Sequence, residues 1–313
     1  MIPNGIKKIL EKQGYRIVGK HSAVKVCYWT KKAIKSEDIC YKCQFYGIQT
    51  HRCVQMTPAV IWCNLRCVFC WRSNELYAGR EKMNFKVDEP SFIVEECIKA
   101  HKELISGFGG QRLNPKIWKE ANNPKHFAVS LSGEPCLYPL LSDLFEEIHK
   151  RGMTSFLVTN GVIPEALENL EELPTQLYVS LVAWDRKSFS RITRGNPSLW
   201  DKFLECLELM PSLDTRKVIR ITAVKDLNMF YPEKYAQLIR IAEPHFVEIK
   251  GYMHVGWSQQ RLSKENMPSH REILNFGRQL SKYLGYKLVD EKRNSRVCLL
   301  APAEYSWRKI KLS

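Results

Sequence analysis

Cys63-Asn64-Leu65-Arg66-Cys67-Val68-Phe69-Cys70-Trp71 puts three cysteines at x3 and x2 spacing in one short loop, directly after the apolar run Pro58-Ala-Val-Ile-Trp62. Soft thiolates crowded this closely suit an iron–sulfur cluster or zinc rather than a disulfide framework. The alternative to a cluster is a zinc knuckle with a distant fourth ligand, although zinc sites usually pair C-x2-C with a second such pair. No fourth cysteine is close by. Three thiolates around a four-iron cluster leave one iron open to an outside ligand.

At 313 residues the chain is long enough for one large α/β domain or two smaller ones, and 44% hydrophobic with 26% charged residues is ordinary for a globular protein. The charge balance is not ordinary. Against 33 acidic residues stand 48 Lys and Arg, a net +15, which points to a polyanionic partner such as nucleic acid, or else to a generally basic proteome. Eleven cysteines without an apolar leader argue for a reducing compartment and metal ligation. No stretch has the apolar length of a membrane span. The expected location is cytoplasmic.

Upstream, residues 4–14 read as a short amphipathic helix. From Val24 to Arg52 the pattern is irregular and rich in cysteines and aromatics, and predicts little regular structure, with a metal in place of a core. Downstream, residues 89–106 have helical periodicity, and 107–124 read as an insertion. Strand-like runs then follow at Phe127–Leu131, Ser155–Thr159, Gln176–Leu181, Val218–Thr222 and Phe246–Lys250. Helical segments separate them near 140–151, 164–171, 197–210, 232–242 and 268–284, so βαβ units and a parallel sheet are expected. With the run before Cys63 counted as a strand there are six, which suits an incomplete TIM-like (βα)6 barrel with its chemistry at the carboxyl ends of the strands. The tail carrying Lys292, Arg293, Arg296, Arg308, Lys309 and Lys311 is expected at the surface.

Two further constellations carry chemistry. Ser132-Gly133-Glu134-Pro135 follows a strand, where glycine admits a ligand close to the backbone and a carboxylate accepts from an ammonium group. Asn160 and Ser180 follow later strands and suit a ribose or carboxylate, or equally the cap of the next helix. Cys27, Cys40, Cys43 and Cys53 suit structural zinc or a second iron–sulfur cluster, and spacing does not choose between them.

The C-x3-C-x2-C loop, with an aromatic before its last cysteine, resembles the radical S-adenosylmethionine superfamily. More specifically, Cys27, Cys40-Tyr-Lys42, Phe45-Tyr-Gly-Ile, Thr50-His-Arg-Cys53, Ser130-Leu-Ser-Gly-Glu-Pro135, Val158-Thr-Asn-Gly161, Thr175-Gln-Leu-Tyr-Val-Ser-Leu181 and Glu248-Ile-Lys-Gly-Tyr-Met-His-Val-Gly256 resemble the 4-demethylwyosine synthase family in its stand-alone archaeal form. That resemblance runs from about Cys27 to Leu300, with the motifs in the family's order. Val182 and Cys136 depart from it, where relatives commonly carry an acidic residue and a threonine.

The resemblance implies a radical S-adenosylmethionine barrel over 57–313 and an N-terminal cysteine-rich segment over 1–56. It implies two [4Fe-4S] clusters: one on Cys63, Cys67 and Cys70 that binds S-adenosylmethionine, and an auxiliary one on Cys27, Cys40 and Cys53. Ser132, Gly133, Glu134, Asn160 and Ser180 would hold the cofactor, and pyruvate would be carried as a Schiff base on Lys42 or on the open iron of the auxiliary cluster. Lys250, Tyr252 and His254 would face substrate, and exposed aromatics such as Trp71, Tyr252 and Trp257 would receive the target base. The implied reaction joins N1-methylguanosine, next to the anticodon of phenylalanine tRNA, to pyruvate to give 4-demethylwyosine. Electrons would come from a separate carrier protein such as a flavodoxin or ferredoxin. The rival readings are a radical enzyme acting on a small molecule or peptide, with an auxiliary electron-transfer cluster, and a zinc-containing RNA-binding protein.

Overall fold

Six near-continuous apolar runs form the parallel core of the sheet. Strands buried on both faces read this way, because helices cover one side and barrel contents fill the other. The computed structural model describes residues 1–79, 83–110 and 112–311. The parallel strands are β3 (Cys53–Thr57), β4 (His126–Val129), β5 (Thr154–Thr159), β6 (Gln176–Ser180), β7 (Arg216–Ala223) and β8 (Phe246–Gly251), paired in that order. Antiparallel strands extend both edges. β1 (Arg16–Val18) and β2 (Ser22–Val24) join β3, and β10 (Val297–Ala301) and β9 (Lys287–Lys292) join β8, giving ten strands in one sheet.

Helices α1 (Asn4–Lys12), α2 (Tyr28–Ile34) and α3 (Tyr41–Tyr46) precede β3. α4 (Pro90–Ser106) and α5 (Pro115–Ala121) lie between β3 and β4; α6 (Leu141–Lys150) and α7 (Pro164–Glu168) follow β4 and β5. α8 (Arg186–Thr193) and α9 (Leu199–Leu209) follow β6, α10 (Pro232–Ala242) follows β7, and α11 (His270–Leu284) follows β8. Alternate strand residues divide between two cores. Val54, Phe127, Leu157, Val179, Ile219 and Val247 face the helices, and Phe156, Tyr178, Val218 and Phe246 face inward. Each such fully buried side chain contributes roughly 1.5–3 kcal/mol of transfer free energy.

The inner core is completed by α3, whose Tyr41, Phe45 and Tyr46 pack on the inward residues of β5–β8. The expectation of little regular structure between Val24 and Arg52 is therefore corrected: a six-residue helix stands inside the barrel. The strand expected before Cys63 is also displaced. β3 is Cys53–Thr57, so Cys53 opens it, and Pro58–Trp62 is buried chain leading out of it. The 107–124 insertion contains α5, capped by Asn114; Gln111 lies outside the described residues. The tail is not simply a surface strip. β10 is wholly buried, and near the chain end Arg216 donates to the carbonyls of Trp307 and Arg308 while Ile310 N donates to Tyr46 O at 2.7 Å.

Candidate active site

The Cys63–Cys70 loop leaves the carboxyl end of β3 and is pinned by backbone bonds rather than by regular structure. Cys63 N donates to Gly79 O at 3.0 Å, Arg66 N to Thr193 O at 2.8 Å and Val68 N to Ile192 O at 2.9 Å. Arg261, more than two hundred positions from the chain start, donates to Cys70 O, Asn74 and Glu75, and so holds the loop after its last cysteine. Gly256 lets a later loop lie on the same place. A side-chain carbon there would sit 2.5 Å from Trp71 O, and Trp257 N donates to that oxygen at 3.1 Å. No local pattern in the sequence joins Arg261 or Gly256 to the cysteines.

The three cysteines are half-buried, and the ionisation of Cys63 and Cys67 is disfavoured. Burial, then Glu134 and Cys70, push the Cys63 thiol up to about 12, and burial with Cys70 and Cys63 pushes Cys67 well up. Such a set is stable as thiolates only against a strongly cationic group, and three soft ligands on one loop fit an iron–sulfur cluster.

Next to this loop lie the ends of β4 and β5. Gly133 has φ +70°, and a side-chain carbon there would sit 1.7 Å from Ala59 O; Glu134 N donates to Trp62 O at 2.7 Å. Glu134 is buried. Its Oε1 accepts from Thr159 Oγ1 at 2.7 Å and Cys136 N at 3.1 Å, and its Oε2 from Asn160 N at 2.8 Å. A carboxylate has about four acceptor positions, so one remains on Oε2. Ser132 Oγ donates to Val60 O at 2.8 Å. Asn160 Nδ2 donates to Asn64 Oδ1 at 2.7 Å and lies 3.9 Å from Cys63 Sγ, which ties β5 to the cysteine loop. Ser180 ends β6 in register with Arg220. Asp185, near the departing Val182, caps α8.

The N-terminal cysteines form a second centre. Cys40 is the N-cap of α3, and Cys53 opens β3. Burial, then Cys27, push Cys40 up to about 11; burial and Cys27 push Cys53 up to about 12. Cys27 acts on both Cys40 and Cys53, and Cys40 on Cys53, so three soft donors lie within electrostatic reach of one another. Cys43 instead acts on Lys309.

Lys42 lies beside this centre. Its Nζ stands 4.1 Å from the Tyr178 ring centroid and 5.3 Å from that of Phe156. Burial and then Arg220 pull its ammonium down to about 8, against the opposing pull of Glu248 and the thiols. Arg220 donates from Nε to Glu248 Oε2 at 3.0 Å and from Nη2 to Tyr41 Oη at 2.7 Å. Wholly buried Glu248 also accepts from Tyr41 and from Tyr46, at 3.0 and 2.8 Å. Lys250 Nζ donates to Ser295 O at 3.0 Å, lies 5.1 Å from the Tyr41 ring, and is lowered by burial and Arg220. No motif marks Arg220; the only signal for it in the sequence is an arginine at an inward strand position.

The strand ends open onto a mouth. Tyr252, expected as an exposed platform, is 2% accessible and donates to Ser258 Oγ, so it packs the loop instead. His254 Nε2 donates to Leu262 O. Trp71 and Trp257 are half-buried, and Arg72 stacks 3.3 Å from the Trp71 ring centroid. Exposed aromatics come from elsewhere: Phe230 and Tyr231 after β7 meet the half-buried Trp184 after β6, with centroids 6.3 and 5.1 Å away. Tyr231 holds a left-handed φ of 54°, and Lys234 lies 4.9 Å from its ring.

Six parallel strands with a three-cysteine loop after the first of them define a radical S-adenosylmethionine enzyme. The superfamily's profile matches residues 57–239, and the profile for wyosine base formation matches 241–302. An S-adenosyl-L-methionine-dependent tRNA 4-demethylwyosine synthase of Pyrococcus horikoshii is 50% identical over 96% of this chain and 89% of its own length. That of Methanocaldococcus jannaschii is 45% identical over 96% of each. A solved structure of TYW1 with a lysine-pyruvate adduct bound matches with TM-score 0.90 at 42% identity, over 99% of this chain and 100% of that one. A crystal structure of archaeal TYW1 matches at TM-score 0.80 and 39% identity, over 96% and 97%. The chain belongs to the S-adenosylmethionine-dependent tRNA 4-demethylwyosine synthase family, radical enzymes that modify tRNA in the wybutosine pathway. The family uses S-adenosylmethionine and a four-iron cluster. Among the described residues no helix is long and apolar enough to cross a membrane.

Proposed function

We propose that this enzyme condenses N1-methylguanosine, next to the anticodon of phenylalanine tRNA, with pyruvate to form 4-demethylwyosine. The observation that carries the reading is Lys42, set against Tyr178 and Phe156 inside the barrel and beside Cys40 and Cys53. The structural relative that holds a lysine-pyruvate adduct supports it.

Residues 57–313, together with β3 from Cys53, form the radical-generating barrel, and the N-terminal segment within 1–56 brings the auxiliary centre to it. Cys63, Cys67 and Cys70 hold one four-iron cluster; Cys27, Cys40 and Cys53 hold a second, with Cys43 outside the ligand set. Bound on the first set, a cluster supplies the electron that cleaves S-adenosylmethionine, and with it the 5′-deoxyadenosyl radical that takes hydrogen from the N-methyl group. A separate carrier protein delivers the electrons.

The backbone of Ser132 and Gly133 and the remaining acceptor position of Glu134 hold the methionyl end of the cofactor. Asn160 fixes the cysteine loop, and Ser180 lies beside the ribose. Lys42 adds its amine to pyruvate's keto carbon, water leaves, and the resulting imine presents that carbon to the methylene radical of the base. The bond to the carboxyl carbon then breaks, which restores the C=N bond and carries the unpaired electron away on the departing carbon dioxide radical anion, and the exocyclic amine displaces the Lys42 amine from that carbon as the ring closes. Lys250 faces pyruvate from β8, and His254 lies at the RNA side. The RNA face is the mouth carrying Trp184, Phe230, Tyr231 and Lys234, where splayed bases find aromatic surfaces.

Borohydride reduction in the presence of pyruvate tests the reading. It is expected to fix a three-carbon adduct on the Lys42 peptide; an unmodified Lys42 with full enzymatic activity would refute it.

A further inference from the structure

Arg220 is held on one edge only. Its Nε and Nη2 are committed to Glu248 and Tyr41, and Nη1 has no partner among the described residues. The side chain keeps 16% exposure, whereas its partner Glu248 has none. The guanidinium lies 4.4 Å from the Tyr178 ring centroid, the same ring that Lys42 approaches to 4.1 Å. Arg220 acts on both Lys42 and Lys250, and Glu248 is the carboxylate that acts on all three. Cations gathered in a partly desolvated interior are stable when an anion completes them.

We propose that Arg220 binds the carboxylate of the keto acid carried by Lys42, and so makes the site selective for 2-oxo acids over simple ketones. This rests on the Lys42 reading above. In a 2-oxo acid the carboxylate is bonded directly to the carbon that joins Nζ, so an amine and a guanidinium gathered at the same Tyr178 ring can hold the two ends of one molecule. Arginine suits the task because its planar fork serves Glu248 along one edge and a second carboxylate along another. Lysine in its place has the charge without the fork. Glu248, Tyr41 and Tyr46 set the direction in which the free edge points.

The test uses anaerobic holoenzyme, cyanoborohydride and two probes in concentration series: pyruvate, and hydroxyacetone, whose hydroxymethyl group replaces the carboxylate. Adduct on the Lys42 peptide is measured by mass. The parent is expected to trap pyruvate at far lower concentration than hydroxyacetone. Arg220→Gln is expected to raise the pyruvate half-saturation by about tenfold or more, the worth of a charged hydrogen bond, and to leave that for hydroxyacetone unchanged. Because the single change strands Glu248, Arg220→Gln combined with Glu248→Gln removes both charges and is expected to lose the preference too. Unchanged pyruvate dependence, or equal loss for both probes, overturns the proposal by leaving Arg220 a structural role. Absence of any adduct in the parent overturns the Lys42 reading itself, a result separate from either of these.

Discussion

Lys42 Nζ stands 4.1 Å from the centroid of the Tyr178 ring, on the inner face of the barrel. A π face favours a cation, yet burial and Arg220 oppose the charge and pull the ammonium down to about 8. The amine is therefore more available near neutral pH than an exposed lysine's, as a nucleophile toward a ketone requires.

Lys42→Arg keeps a cation that cannot lose its proton. It is expected to lower formation of the tricyclic base by about 10²-fold or more, while uncoupled cleavage of S-adenosylmethionine continues. Mass analysis of tRNA nucleosides reads the first and release of 5′-deoxyadenosine the second. Product at the parent rate would remove Lys42 from the chemistry.

Glu248 joins Arg220, Tyr41 and Tyr46 in the barrel interior. Glu248→Ala leaves the guanidinium and two hydroxyls facing a gap, and breaking a buried pair of this kind costs about 3–5 kcal/mol. Denaturant unfolding is expected to show that loss. A change within about 0.5 kcal/mol would mean that the network is replaceable by water.

Folding and site were legible to different degrees. The six parallel strands were readable because each is a short apolar run between helical segments, and they fall within two residues of their expected ends except for the first. β3 was misplaced because Pro58–Trp62 is as apolar as a strand and equally buried, without a partner ladder. α3 was hidden because it spans six residues, and its three aromatics point into the barrel rather than along an amphipathic face. α8 has few apolar residues and is set by the Asp185–Ser188 capping box. The cysteines, Glu134 and Lys42 were marked by motif. Arg220, Arg261 and the Trp184–Tyr231 pair were not, because what joins them is the barrel's curvature.

Acid should expose a hidden weakness in α4. His101 is wholly buried, neither ring nitrogen has a partner among the described residues, and burial with Lys102 lowers its pKa to about 4. The unfolded chain binds this proton more tightly, so the associated stability is intact above about pH 6.5 and is lost as pH falls toward 4, on the order of 3 kcal/mol in all. His101→Leu is expected to flatten the stability profile in that window. An unchanged slope would assign the acid sensitivity elsewhere.

Binding to tRNA should be steeply salt-dependent given the net +15. With six or more phosphate contacts, affinity is expected to fall by about 10³-fold or more between 50 and 200 mM salt. A flat dependence would contradict a phosphate-reading surface.

At the mouth, Phe230→Ala is expected to weaken tRNA binding by about 1–3 kcal/mol, the worth of one stacked base, with the fold preserved. Tyr231→Ala should act in the same direction. Parent affinity in both variants would move the RNA face away from these loops.

Two cysteine centres in one barrel are the core of the account, and iron content tests them most directly. Anaerobically prepared protein is expected to hold about eight irons with matching sulfide, and a variant with Cys27, Cys40 and Cys53 changed to Ala about four. About four irons in both proteins, with one zinc in the parent, would contradict a second cluster and make the N-terminal centre structural.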